Sequence, residues 1–316
     1  MMPSLSSNRR LIVVFALLPL FAGCSWFEWM GFEEEYDAEA NAERAARVTA
    51  IQSPTPTTAP MGETMADRDL QDVYQKQNRI YQRLAQEGAS ISDPDYDRLL
   101  REVITQYQSY LATYPDSLYG WILYGKLLRD VGERDLANQA FVRANRLDGN
   151  VAVVKQQIGN YLAEDGEPAV ALAYYLAAVE LEPGESVYNY QVGELLYTYR
   201  EELIAEDALE RHLLEQQMIE SFAKAHLLDP GNRQLKQRYA ESFFDITQPN
   251  WEAALRLWSE LANSSPNQVD RQWAQLQQAR VLIAMGRRAE ARNTLSNVTL
   301  SSLQDARDRL LREIDT

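Results

Sequence analysis

Cysteine is almost absent: Cys24 is the only thiol in 316 residues. A disulfide needs a second cysteine, and zinc or redox sites recruit several thiols or imidazoles at close spacing, so neither is expected. Histidine is nearly as scarce. Neither His212 nor His226 has neighbours that form a metal box or a catalytic triad. No glycine-rich loop of the phosphate-cradling kind is present, and strand-like alternation of apolar and polar residues is rare. The expectation is a chain without catalytic residues, metal or cofactor. Basic charge is also in deficit, with 31 Lys and Arg against 46 Asp and Glu. A surface this negative repels phosphate backbones, which argues against direct nucleic-acid binding.

Long hydrophobic runs are missing too. The longest, Leu11 to Phe21, has eleven residues and one proline, far short of a ~30 Å hydrocarbon core at ~1.5 Å per residue. Preceded by Arg9 and Arg10 and followed by Ala22 and Gly23, it reads as a secretory signal peptide over residues 1–23. The stretch "LFAGC" resembles the lipobox of bacterial lipoproteins, although Phe21 stands where leucine is usual. That resemblance implies that Cys24 becomes the acylated first mature residue, with several fatty chains holding the protein to a membrane. Ser25 after the cysteine looks like an outer-membrane address facing the periplasm. An ordinary secreted protein with a chance cysteine, and twin-arginine export through Arg9 and Arg10, are the other readings of these residues. Removal of residues 1–23 would leave 29 basic against 46 acidic side chains, a net charge of −17.

Residues 24–65 form the next region. Trp26, Phe27, Trp29 and Phe32 crowd its start, as rings do at the headgroup level of membranes. Ser53 to Pro60 carries three prolines and four Ser or Thr, a composition that stays extended as a tether. The folded part is expected over 66–316, with Leu, Ala, Gln, Glu and Arg frequent and apolar residues returning every three or four positions.

This region repeats with a period of 34. Gly125, Gly159 and Gly193 are each 34 apart, as are Gly132 and Gly166, Ala137 and Ala171, Phe141 and Tyr175, and Ala144 and Ala178. These intervals and residue types resemble the tetratricopeptide repeat, a helical hairpin with Trp, Leu, Gly and Tyr on its first helix and Ala, Phe, Ala and Pro on its second. Trp121, Gly125, Gly132, Ala137, Phe141 and Ala144 occupy those places in one unit. The next has Gly159, Gly166, Ala171, Tyr175, Ala178 and Pro183, with Lys155 in place of tryptophan. Small residues let helix axes approach, aromatic rings fill the wedge between them, and proline closes a unit. One hairpin cannot bury its apolar stripe alone, so several must stack.

The resemblance implies an all-α, right-handed superhelical solenoid of about six hairpins. A degenerate pair leads, over Met65 to Ala85 and Asp95 to Tyr114, and the helix in "LSSLQDARDRLLREI" caps the end. The third unit spans 29 residues from Gly193 to Phe222 where the others span 16 from glycine to ring, so about 13 are extra. They fall in Tyr199 to Gln217, with two arginines against six acids, and are expected to project as lengthened helices.

In this family the first helices line a concave groove that takes peptides. Carried over place by place, the groove positions are Tyr119, Ile122, Leu123 and Lys126, then Gln156 and Asn160, then Tyr190, Gln191 and Glu194. Gln237, Arg238 and Glu241 follow, then Trp273, Gln277 and Arg280. About half of them are expected only to pack between hairpins. The lysine and asparagine clamp of chaperone-binding members is not reproduced, since those places hold Ile122, Lys126, Gln156 and Asn160. Amide and tyrosine groups suit an extended protein or peptide segment instead. The implied function is a membrane-anchored scaffold or adaptor of the bacterial cell envelope, binding periplasmic partners through the groove or the acidic insertion, with its oligomeric state open. The alternative is a glycan-binding surface lipoprotein of a nutrient-uptake system, in which Trp273, Tyr119 and Tyr190 stack on sugars.

Overall fold

The computed structural model describes residues 64–206 and 208–316. Cys24, the signal segment and the tether lie outside the described residues. Among those described there are fourteen α-helices, one short 3-10 turn and no strand, and no helix is long and apolar enough to cross a membrane.

Local chemistry sets the first helix boundaries. α1 (Met65–Glu87) starts on a capping box in which Thr64 Oγ1 accepts from Asp67 N and the Asp67 carboxylate accepts from Thr64 N. α2 (Pro94–Thr113) has Asp93 as its cap, accepting from Asp95 N at 3.1 Å, and opens on Pro94, whose missing N–H would have had no helical partner. Ser117 caps α3 (Leu118–Asp130), which turns into α4 (Arg134–Leu147). Then come α5 (Ala152–Glu164), α6 (Pro168–Leu181) and α7 (Ser186–Thr198). Short α8 (Arg200–Ala205) precedes α9 (Arg211–Leu228). The chain continues through α10 (Arg233–Ser242), α11 (Trp251–Asn263), α12 (Gln268–Ala284) and α13 (Arg288–Leu295) to α14 (Gln304–Asp315).

Helices pack against their neighbours in chain order, α7 meeting α9 across the short α8. One contact recurs at each glycine of the 34-residue series. A Cβ on Gly125 would lie 3.0 Å from the Phe141 ring, one on Gly159 2.8 Å from Tyr175, and one on Gly193 2.7 Å from Phe222. Each glycine of a first helix is therefore the floor on which the aromatic ring of its second helix rests. Any side chain there would push the hairpin apart. Ala137, Ala144, Ala171 and Ala178 are fully buried at their repeated places.

The turn glycines explain the irregular third unit. Gly132 and Gly166 have φ of 81° and 80°, a left-handed turn that only glycine adopts without steric cost. The corresponding place in the third unit, 34 residues after Gly166, is Arg200. There the chain does not reverse but restarts as α8. The insertion was expected to project; its acids Glu201, Glu202, Glu206 and Glu210 are exposed, but two of its leucines tie it to the body. Leu203 and Leu214 are fully buried in one cluster with Leu196, Met218 and Phe222, because these side chains gain more from that contact than from solvent. The Glu215 carboxylate then accepts from Thr247 N at 2.8 Å and Oγ1 at 2.7 Å, fixing the α10–α11 loop to α9.

At the far end α14 packs on α12 and α13. Ala306, Leu310 and Ile314, spaced four apart, face inward, while its charged residues stay outside as a terminal helix requires.

Candidate functional site

The first helices of successive hairpins are joined along the inner wall by polar side chains. Tyr81 on α1 donates to Asp130 on α3 at 2.8 Å, and Arg129 on α3 donates to Gln157 on α5 at 3.0 Å. The hydroxyl of Tyr199, just past α7, donates to the carbonyl of Ala163 on α5 at 2.8 Å. From α7 to α10 the link becomes ionic, with Arg238 Nε donating to Glu194 Oε1 at 2.6 Å.

Arg238 is the centre of the densest stretch. Its Nη1 also reaches Asp245 Oδ2 at 3.4 Å, and its guanidinium carbon lies 4.4 Å from the Tyr197 ring centroid and 4.3 Å from that of Phe222. On the next inner helix Arg280 stacks at 4.2 Å over Phe244 and donates to Gln277 Oε1 at 2.6 Å. Gln237 Nε2 donates to Glu241 Oε1 at 3.0 Å. Two buried polar atoms of this stretch, Gln191 Oε1 and Arg238 Nη2, have no hydrogen-bond partner, and the Glu194 carboxylate lies against Tyr190.

Burial dominates the protonation of these groups. It raises Glu194 and Asp245 above the ordinary carboxylate range, partly offset by Arg238 in both cases. Glu241 is pushed up to about 7 by the same loss of solvent, against the pull of Gln237 and Arg238. For Arg238 burial works against the charge, but Glu194, Asp245 and Glu241 more than reverse it. Burial lowers Arg280, and it lowers Lys126 with help from the nearby Arg129 charge.

The groove positions divide in two. Tyr119 is exposed, and Lys126, Asn160, Tyr190, Glu194, Gln237, Glu241 and Arg280 are half-buried. Ile122 is 0 % exposed, and Leu123, Gln156, Gln191, Arg238, Trp273 and Gln277 are buried as well. They lie within the wall rather than on it, because the inner helices stand close enough for side chains to bridge from one to the next. Trp273, expected as a sugar-stacking ring, packs edge-on against Trp258 with centroids 5.1 Å apart. Asn160 is turned toward its own hairpin, where it accepts from the Tyr175 hydroxyl at 2.6 Å.

Sequence reasoning missed Tyr197, Asp245 and Phe244. They sit three or four residues beyond the last carried-over place of their units. The recurrence of Asp130 and Asp245 at the same repeat position was the available signal. Among the described residues no group of three or more His, Cys, Asp or Glu side chains is arranged to hold a metal ion.

No family model matches the sequence, and none of the curated proteins does. Solved structures do resemble the fold. YrrB, described as a tetratricopeptide-repeat protein with an unusual peptide-binding site, is 13 % identical with a TM-score of 0.51, over 66 % of this chain and 97 % of that one. PilF of Pseudomonas aeruginosa is 15 % identical with a TM-score of 0.50, over 80 % of this chain and 99 % of its own. A chain of the Naa15/Naa10 assembly bound to HypK-THB is 14 % identical with a TM-score of 0.51, over 80 % of this chain and 34 % of that one. With the 34-residue glycine and aromatic series packed as described, the chain is a helical solenoid of the tetratricopeptide-repeat fold.

Proposed function

We propose that the protein is a lipid-anchored scaffold of the bacterial cell envelope that holds a protein or peptide segment against its inner wall and catalyses no reaction. The observation that carries this reading is the row of half-buried donors and acceptors on one wall, Lys126 from α3, Tyr190 and Glu194 from α7, Gln237 and Glu241 from α10 and Arg280 from α12. The alternating N–H and C=O groups of an extended peptide offer partners to both the donors and the acceptors of such a wall. YrrB is described as having a peptide-binding site, which supports a peptide as the ligand. Half-buried Lys126 and Gln237 on the wall would add side-chain contacts.

Two measurements test the reading. Cross-linking of the protein in membranes, followed by capture of its partners, is expected to lose at least tenfold in yield when Lys126 and Gln237 are both changed to alanine, in a variant whose circular dichroism shows the helices intact. Full capture by that variant would remove the inner wall from consideration. The insertion is not a usable deletion, since Leu203 and Leu214 belong to the core. Cys24 carries the anchor in this proposal, so Cys24→Ser is expected to abolish labelling by radioactive palmitate and to release the protein from the membrane fraction. Retained labelling would contradict the anchor.

A further inference from the structure

The outer face of the solenoid carries a second recess, between α2 and α4, with α3 as its floor. It encloses about 720 Å³ and is open to solvent, within the ~300–1,000 Å³ of ordinary ligand sites. Leu111, Trp121, Tyr124 and Leu136 supply an apolar lining, and Arg143 and Arg146 belong to its wall. Not one lining residue is acidic, in a chain with 46 acids and 31 bases.

The repeat itself shows why the space is open. Thirty-four residues after Ala140, which lines the recess, stands Tyr174, and 34 after Trp121 stands Lys155. In that next unit the ammonium of Lys155 lies 5.4 Å from the centroid of the Tyr174 ring, so ring and lysine stem occupy the corresponding place. At Ala140 there is only a methyl group, itself buried, and the recess opens beside it. Trp121, whose Nε1 donates to the Pro115 carbonyl at 2.9 Å, is held beside it half-exposed instead of closing the wedge.

The charge pattern selects the occupant. Arg143 pairs with Asp116 at 3.0 Å, an exposed contact of little net strength, and Arg146 makes no ion pair among the described residues. Asn138, half-buried, adds an amide group to the lining. We propose that this outer recess is a second docking site, taking a peptide segment that places an aromatic or large aliphatic side chain on Trp121 and Tyr124 and flanking carboxylates on Arg143 and Arg146. Apolar anchors in pockets supply the affinity of such contacts, and complementary charges at the rim set their specificity. The two faces then bind different segments, the inner wall through backbone pairing and the outer recess through an acidic, aromatic anchor.

The test is selection of a random 12-residue peptide library on the whole protein, on Ala140→Tyr, which copies the molecule's own next repeat, and on Arg143→Glu/Arg146→Glu, which changes only surface charge. The expected result is a set of peptides with Trp or Phe flanked by Asp or Glu, whose affinity falls at least tenfold in both variants. Peptides held by the inner wall would survive in both, so the two sites are distinguishable. The proposal is overturned if no peptide is weakened by the charge reversal, or if the weakened ones are basic. It is also overturned if dodecanoate, offered alone, is lost in both variants while no peptide is, since the recess would then belong to a small amphipathic anion.

Discussion

Replacing Phe222 by alanine is expected to lower the unfolding free energy by about 3–5 kcal/mol, the range for truncating a fully buried aromatic ring. The ring is 1 % exposed and holds three neighbours in place. It rests on the backbone of Gly193, meets Tyr190 edge-on with centroids 6.0 Å apart, and carries the guanidinium of Arg238 on its face. The first contact closes the third hairpin, and the last couples that hairpin to the fourth. In a solenoid each unit leans only on its neighbours. The loss is therefore expected to separate the C-terminal hairpins from the rest, so that urea unfolding followed by circular dichroism shows two steps in place of one. Gly193→Ala supplies an internal control. Its Cβ would lie 2.7 Å from the ring in the intact protein, an overpacking expected to cost about 1–3 kcal/mol. In the Phe222→Ala background that cost should vanish, giving a coupling of similar size between the two sites. Additive losses would mean that the ring and the glycine do not form the hairpin's contact.

The glycine and aromatic series was legible in the sequence because it rests on size alone. Gly125, Gly159 and Gly193 recur at one interval because a Cβ cannot be accommodated under Phe141, Tyr175 or Phe222, and no tertiary information is needed to notice it. The inner wall was harder. Ile122 and Tyr119 were both carried over as groove positions, yet one is fully buried and the other exposed. How far an inner helix leans on the next depends on the side chains of both, which no single unit contains. The folding back of α8 was partly legible, in Leu203 and Leu214 standing among acids. Charge drew attention first, although burying two leucines outweighs solvating a few carboxylates that can turn outward. The outer recess was invisible for another reason. Trp121 occupies its expected place, and how far it stands open toward α4 depends on the packing of both helices.

Glu241 makes stability depend on pH in the opposite sense to an ordinary salt-bridged carboxylate. Its pKa is about 7 in the folded protein against an ordinary 4.5, chiefly because burial removes solvent from its charge. Between those values the folded chain holds a proton that the unfolded chain has already released. Stability contributed by this group is therefore fully present below pH 4.5, falls as pH rises through 7, and is constant above. At about 1.4 kcal/mol per unit the whole step is about 3 kcal/mol. The charged groups around it are Arg238, Asp245, Glu194 and Arg280, and the two carboxylates are themselves raised by burial, so they reinforce the trend. Glu241→Gln isolates the contribution, because glutamine keeps an oxygen to accept from Gln237 and carries no charge at any pH. The variant is expected to match the parent at pH 4.5 and to be about 3 kcal/mol more stable at pH 8, measured as the difference between urea unfolding curves. Equal stability at both pH values would place an ordinary, ionised carboxylate at this position. A variant less stable at pH 8 would mean that the attraction between Glu241 and Arg238 outweighs the cost of burying the charge.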